Sequence, residues 1–363
     1  MQSDKRFESV VVTGGCGFYG YHFIRRILEL EPTCAVTVLD IDISEKAFPN
    51  SHYHQCDISD KSRLREIFEH LKPPPRIVIH AACPSSIVRN DERFWRVNVG
   101  GTDSLLELSR SVGVKAFVFT SSSGVVHDNE TDLIEADETM PILRPPQQKT
   151  VYTYTKAVAE EHVLAANRKG GMLTVSLRSC TTFGPHNPAF TGRMVTLAKS
   201  GKTRFQMGDG NIWDFMYIGN MVHACLLSVE RLLQASDAPP LPTDQRVEGE
   251  AFMLADGERM TFWDFPLAVS AAMGKPVKPE EIRKIPKFIA LITCFLSQWG
   301  VWLFSLGRKQ SVMVREGVVF AYITRTLNIN KATKVLGYQP VVSFQEGLKE
   351  TVAWYMEHDK KDQ

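Results

Sequence analysis

The chain has 363 residues, 44% of them apolar and 23% charged, with a formal net charge of +1. This length suits one large domain or two lobes, and the near-neutral balance gives no electrostatic reason to expect nucleic acid as a partner. Its seven cysteines are scattered with no C-x-x-C pair, which fits a reducing compartment rather than a disulfide framework. The start, MQSDKRFESV, has no apolar run of the kind that directs secretion.

In chain order, SVVVTGG (9–15) reads as a buried strand ending in glycines, and GYHFIRRILEL continues with helical spacing. AVTVLDI is a second strand; SRLREIFEHL is a helix with Asp60 placed as its N-cap. RIVIHAA, the stretch ending in SLLELSRSVG, KAFVFTSS, VYTYTKAVAEEHVLAANR and MLTVSLRS carry the alternation on to about Pro185. Strand and helix alternating at this spacing predict an α/β fold with a Rossmann-type doubly wound parallel sheet. The expected division is a dinucleotide-binding domain over 1–185 and a smaller, interleaved substrate lobe over 186–363. DAPPLPTDQRVEGE (237–250) is predicted to be an exposed loop, because its prolines break both periods.

TGGCGFYG sets Gly14, Gly17 and Gly20 between the first strand and the first helix. Glycines there let the backbone turn tightly and approach a pyrophosphate, whose charge the helix N-terminus meets. A ligand-free tight turn is the competing reading, and the register with the flanking elements disfavours it. Asp40 ends the second strand, where a carboxylate accepts hydrogen bonds from a ribose and repels a 2′-phosphate. NAD is therefore expected, with NADP left open. Asp42 fits a solvated strand end better, and Asp57, in HQCDIS, is placed to meet the adenine. His52, His54 and Cys56 alternate in HYHQC and could in principle share a zinc ion. A third strand is required there and no other ligand cluster is visible, so no metal is predicted.

VYTYTK (151–156) holds two tyrosines and a lysine. Residues four apart share a helix face and residues two apart do not. Tyr152 and Lys156 therefore project together, and Tyr154 points away as a packing residue. An ammonium beside a phenol lowers the phenol's pKa from about 10 toward the working pH, which makes Tyr152 the candidate base for an alcohol proton. A hydroxyl from FTSSSG should bind the substrate oxygen. Ser121, Ser122 and Ser123 compete for that role, and spacing alone does not choose.

These motifs, in this order and together with RVNVGGT and its Asn98, resemble the extended short-chain dehydrogenase/reductase superfamily. LRSCTTFGPHNP, GDGNIWDFMYIGNMVHACL, AFMLADGERMTFWDF and LNINKATKVLGYQPVVSFQEGLKETV are similar to its 3β-hydroxysteroid dehydrogenase branch, closest to the sterol-4α-carboxylate 3-dehydrogenases (decarboxylating). The resemblance implies that Ser122 is the catalytic serine, that Lys156 holds the cofactor ribose, and that Asn98 supports the helix carrying Lys156. It also implies cofactor contacts from Phe18, Tyr19, Ile58, Ala81 and Ala82. The implied reaction is NAD(P)-dependent oxidation of a sterol 3β-hydroxyl, with loss of CO₂ from a 4α-carboxysterol in sterol biosynthesis. Ser179 replaces a proline common after the arginine of the sixth strand, and Val125-Val126-His127 stands where relatives vary, so the substrate is less specified than the reaction. A terpenoid alcohol and a non-catalytic NAD sensor are the alternatives. Nucleotide-sugar epimerases share the first half, but their diphosphates would favour basic groups in the small lobe. Arg93, Arg96, Arg178 and Arg193 are candidate carboxylate binders.

FIALITCFLSQWGVWLFSLG (288–307) runs twenty residues without a charge between Lys284, Lys287 and Arg308, Lys309. Its length would span a bilayer, but the family's closing segment, which must pack on the nucleotide domain, lies beyond it. A helix or helical hairpin in one leaflet is therefore expected, anchored by Trp299 and Trp302. Ser297, Gln298 and Gly300 support the alternative of a buried helix or lid. The expected setting is the cytosolic face of the endoplasmic reticulum membrane. A hydrophobic small molecule, the membrane surface and other sterol-pathway enzymes are the expected partners.

Overall fold

Short runs of Val, Ile and Phe, bounded by glycine and polar residues, become strands here, and runs with apolar residues three and four apart become the helices that cover them. A computed structural model describes residues 7–85, 90–208, 210–306 and 315–359. The first half runs β1 (Ser9–Thr13), α1 (Phe18–Leu30), β2 (Ala35–Asp40), β3 (Ser51–Gln55), α2 (Lys61–His70), β4 (Ile77–His80) and α3 (Asp91–Phe94). A π-helical stretch, Trp95–Gly101, joins α3 to α4 (Thr102–Ser111), followed by β5 (Ala116–Thr120), β6 (Leu133–Ala136), α5 (Val151–Ala165), β7 (Leu173–Ser179) and β8 (Thr181–Phe183). The second half contributes α6 (Thr191–Lys199), β9 (Phe205–Met207), β10 (Ile212–Tyr217), α7 (Ile218–Ala235), β11 (Glu250–Leu254), β12 (Arg259–Thr261) and α8 (Asp264–Ala272). It closes with β13 (Arg283–Ile285), α9 (Lys287–Phe304), α10 (Arg315–Phe320), β14 (Arg325–Leu327) and α11 (Phe344–Asp359).

Seven strands form one sheet in the order β11-β7-β5-β4-β1-β2-β3, and every pairing in it is parallel. Alternation along β1 sends Val10 and Val12 into a core with Phe23 and Ile24 of α1, and Val11 into a second core with Leu64 and Phe68 of α2. Helices therefore cover both faces, as a parallel sheet requires. The strand order reverses between β1 and β4, so the strand ends bearing Thr13 and His80 open a crevice at the switch point. Asp60 caps α2 by accepting a hydrogen bond from Arg63 N at 3.0 Å.

The two sheets draw elements from both sides of residue 185. Helix α7 packs on β5 and β7, and β11 extends the large sheet from the second half. In return, β6 from the first half pairs with β14 in a smaller sheet, β12-β10-β14-β6, where β8 also joins β10. Residues 237–249 form the expected loop, although Val247 and Glu248 are buried beside the start of β11. His52 and His54 lie on the edge strand β3, and among the described residues no group of metal ligands forms.

Candidate active site

The crevice is a cleft of about 1030 Å³. Its floor is the glycine turn. Gly14 has φ +66°, and a Cβ there would lie 2.8 Å from Ala82 Cα, so the backbone after β4 passes directly over it. Gly17 caps α1 with no side-chain bond to the first-turn N–H groups, which leaves them for an anion. A Cβ on Gly20 would stand 2.2 Å from Gly14 O and 2.5 Å from Gly15 Cα, so only glycine lets α1 begin this close to the turn. Gly20→Ala is expected to force the backbone apart, lowering stability by about 1–3 kcal/mol and weakening dinucleotide binding at least tenfold. A thermal melt and a cofactor titration check both.

Cys16 N donates to Asp40 Oδ2 at 2.9 Å and Asp42 N to Asp40 Oδ1 at 3.3 Å, which aims the carboxylate along the cleft wall. Asp42 caps its own exposed turn through Ser44 N at 2.9 Å. Asp57 accepts from Ser59 N and Ser59 Oγ at 2.9 and 2.6 Å, and the Arg96 guanidinium stands 3.3 Å away. Partial burial pushes the Asp57 carboxyl up, but the Ser59 bonds and Arg96 outweigh it and hold it below its ordinary value. Phe18, Tyr19, Ile58, Ala81 and Ala82 line the same cleft. Tyr19 Oη donates to Thr182 Oγ1 at 2.8 Å, tethering α1 to β8. The glycine cradle, the uncapped helix end and the two acids together suit an adenine dinucleotide.

Helix α5 presents Tyr152 to the cleft, edge-on to Phe94 at 5.8 Å. Tyr154 packs edge-on against Trp95 at 5.4 Å and is not part of the cleft wall. Lys156 is buried; its Nζ donates to Thr120 O and lies 4.0 Å from the centre of the Phe119 ring. Asn98, in the π-helical stretch, donates from Nδ2 to Thr155 Oγ1 at 3.0 Å, and so grips α5 one residue before Lys156. Its Oδ1 is buried with no partner among the described residues. Such π-turns recur at functional sites.

One electrostatic expectation is corrected. The lysine was expected to depress the Tyr152 phenol, yet in the protein alone burial pushes that phenol well above its ordinary value, with Cys83 and Tyr19 adding to the rise. Burial likewise pushes the Lys156 amine down. The amine is engaged by Thr120 O and the Phe119 face, and burial sets the direction for the phenol.

Of the three serines, Ser122 and Ser123 line the cleft and Ser121 does not. Ser122 Oγ accepts from Gly124 N at 3.1 Å, which caps the short turn over 123–126. The candidate arginines scatter. Arg178 is buried against Glu160, with Nη2 to Oε1 at 2.6 Å, and does not line the cleft. Arg96 serves Asp57, Arg193 is exposed on α6, and Arg93 lines the cleft within reach of Asp57's charge. The arginine at the other part of the cleft is Arg325 of β14, which no motif announced.

Helix α9 carries its polarity reversed. The buried side chains are Ala290 and Cys294, while Phe288, Ile292, Phe295, Leu296, Leu303 and Phe304 face out and Trp299 and Trp302 are each 57% exposed. Only 11% of the helix is buried, so it is not a core helix. Gly307, Arg308 and Lys309 lie outside the described residues.

Comparison with known proteins agrees with this geometry. The UDP-glucose 4-epimerase of Thermotoga maritima superposes with a TM-score of 0.71 at 23% identity, covering 96% of this chain and 99% of that one. An NAD complex of the dTDP-glucose 4,6-dehydratase of Bacillus anthracis gives 0.67 at 19%, covering 97% and 98%. Both show the fold. In sequence, the sterol-4-alpha-carboxylate 3-dehydrogenase, decarboxylating, of Schizosaccharomyces pombe is 34% identical over 98% of this chain and 99% of its own length. The enzyme of the same name from Mus musculus is 31% identical over 98% and 92%. The sequence profile of the 3-beta hydroxysteroid dehydrogenase/isomerase family matches residues 11–283, from within β1 to the first residue of β13. A likeness that takes in both the glycine cradle and the tyrosine helix, and runs on to β13, establishes that the chain belongs to the 3-beta hydroxysteroid dehydrogenase/isomerase family.

Proposed function

We propose that this protein oxidises the 3β-hydroxyl of a 4α-carboxysterol with NAD and releases CO₂ and a 3-ketosterol. The observation that carries the reading is the near-full-length likeness to relatives named for that reaction, on a chain whose Tyr152, Ser122 and glycine cradle face one cleft. A bound nicotinamide would supply hydride acceptance. Tyr152 takes the hydroxyl proton, Ser122 hydrogen-bonds the reacting oxygen, and Lys156, held by Asn98 through α5, binds the ribose side and offsets the burial of the phenolate. Once C3 is a ketone the substrate is a β-keto acid. The C4–carboxylate bond then breaks, its electron pair moves into the carbonyl, the oxygen that receives it is the one Ser122 and Tyr152 already hold, and the enolate takes one proton at C4 from water to give the 3-ketosterol. No further protein group is needed, which explains why decarboxylation has no motif of its own. Asp40 favours NAD over NADP.

Purified protein given NAD and a 4α-carboxysterol is expected to form NADH and CO₂ in equal amounts, and NADP is expected to replace NAD poorly. NADH without CO₂ would identify a simple hydroxysteroid dehydrogenase, and neither product would refute the reading.

The outward aromatic face of α9 supports seating on a membrane surface, with the substrate drawn from the lipid; the cytosolic face of the endoplasmic reticulum is the proposed site, alongside other sterol-pathway enzymes. Replacing Phe295, Trp299 and Trp302 together by serine is expected to move the protein from floating with liposomes to the soluble fraction. A triple variant that still floats would show that α9 is not the anchor.

A further inference from the structure

Arg325 is a cation in the cleft wall with no carboxylate paired to it among the described residues. It starts β14, pairs in register with Trp213 of β10, and lines the cleft that also contains Tyr152 and Ser122. Its guanidinium carbon lies 5.3 Å from the centre of the Trp213 ring and 4.7 Å from that of Phe320, so two aromatic rings hold it in place. Among the described residues no carboxylate forms an ion pair with it. Asp214, which follows Trp213 on β10, accepts from Leu327 N at 2.6 Å and stands 3.4 Å from Arg259 Nε. Glu316 lines the cleft too, and its charge acts on Arg315 and Cys294.

A small recess lined by Ser123, Cys180, Thr181, Asp214 and Arg325 joins the guanidinium to one serine of the cleft, and the Asp214 carboxylate in it is engaged by Leu327 N and Arg259. We propose that Arg325 is the group that binds the substrate's carboxylate and makes the enzyme prefer a 4-carboxylated sterol to an uncharged one. This rests on the substrate reading above and adds the residue that recognises it. A 4-carboxylate is attached to the carbon next to the one that is oxidised, so a cation in the same cleft wall as Ser122 and Ser123 can take it while the hydroxyl meets Tyr152. Guanidinium suits the task, because its planar fork matches a carboxylate and stays charged where an amine would lose its proton. Burial lowers the Arg325 pKa only to about 10, so the cation persists at working pH.

The position also has a chemical consequence. Loss of CO₂ moves negative charge away from the carboxylate toward the ketone oxygen. A guanidinium on the carboxylate therefore favours the bound acid rather than its breakdown, and Arg325 should govern KM more than kcat. It is a specificity residue.

The test titrates full-length protein in detergent micelles with a 4α-carboxysterol and with the matching 4α-methylsterol, following tryptophan fluorescence. Arg325→Gln is expected to reduce the preference for the carboxylated ligand roughly tenfold to a hundredfold, and Arg325→Lys to restore part of it. Arg325→Lys keeps the charge if Arg325→Gln melts early. A wild-type protein with no preference, or Arg325→Lys and Arg325→Gln variants that keep it in full, would overturn the proposal. Binding that depends on Arg325 without formation of NADH or CO₂ would retain the carboxylate site and refute the proposed reaction instead.

Discussion

Tyr152→Phe is expected to lower kcat for alcohol oxidation by about 10²–10⁴-fold while leaving cofactor affinity within a few fold. The substitution removes one oxygen from a side chain that is otherwise held by packing on Phe94, so the fold should survive and the loss should be chemical. The pH profile gives a second readout. Burial keeps the Tyr152 phenol protonated in the protein alone, and only its deprotonated form accepts the substrate proton. Oxidation should therefore accelerate as pH rises, up to the point at which the phenol ionises in the working complex. Lys156→Met removes the cation that favours the phenolate and should move this rise to higher pH. A Tyr152→Phe protein with unchanged turnover, or a Lys156→Met profile displaced to lower pH, would disprove the assignment of the base.

Glu160→Gln is expected to destabilise the protein by about 3–5 kcal/mol, because it leaves a buried guanidinium without its counter-charge. Glu160 is fully buried on α5, one turn beyond Lys156. Its carboxylate accepts from Arg178 Nη2 at 2.6 Å, from Arg178 Nε at 3.0 Å and from Ser176 Oγ at 2.7 Å. The pair locks α5 to β7 and so fixes where Tyr152 and Lys156 stand. Replacing both partners, Glu160→Leu with Arg178→Met, should recover most of the loss, since well-packed apolar residues often substitute for a buried ion pair at little cost. Urea unfolding decides it: a Glu160→Gln protein within about 1 kcal/mol of wild type would mean that the charges are not compensating one another.

What could be read from sequence was local. Gly14, Gly17 and Gly20 lie within seven residues, and Tyr152 and Lys156 within one helical turn, so their chemistry followed from spacing. Asn98 could be placed beside α5 only by the family likeness; its bond to Thr155 spans 57 positions. Spacing did not separate Ser122 from Ser123, because the turn that follows β5 presents both to the cleft. The expected pKa of Tyr152 had the wrong sign because adjacency on a helix says nothing of desolvation. Residue type alone left Arg178 a candidate binder as much as a structural cation, and its pairing with Glu160, 18 positions away, makes it structural.

Sequence by itself determined the alternation of strands and helices, the glycine turn, the tyrosine–lysine pair and the uncharged run at 288–307. All of these depend on neighbours a few residues apart, where the periods of helix and strand fix which side chains share a face. Tertiary structure decided that α7 and β11 join the first lobe and β6 the second, that α9 buries its small residues and exposes its aromatic ones, and that Arg325 reaches the cleft. Those outcomes depend on which surfaces meet after segments distant in sequence are brought together, β11 to β7 across 75 positions and β14 to β10 across more than a hundred. Burial, which decides whether a charge is paired or a phenol stays protonated, exists only once they have met.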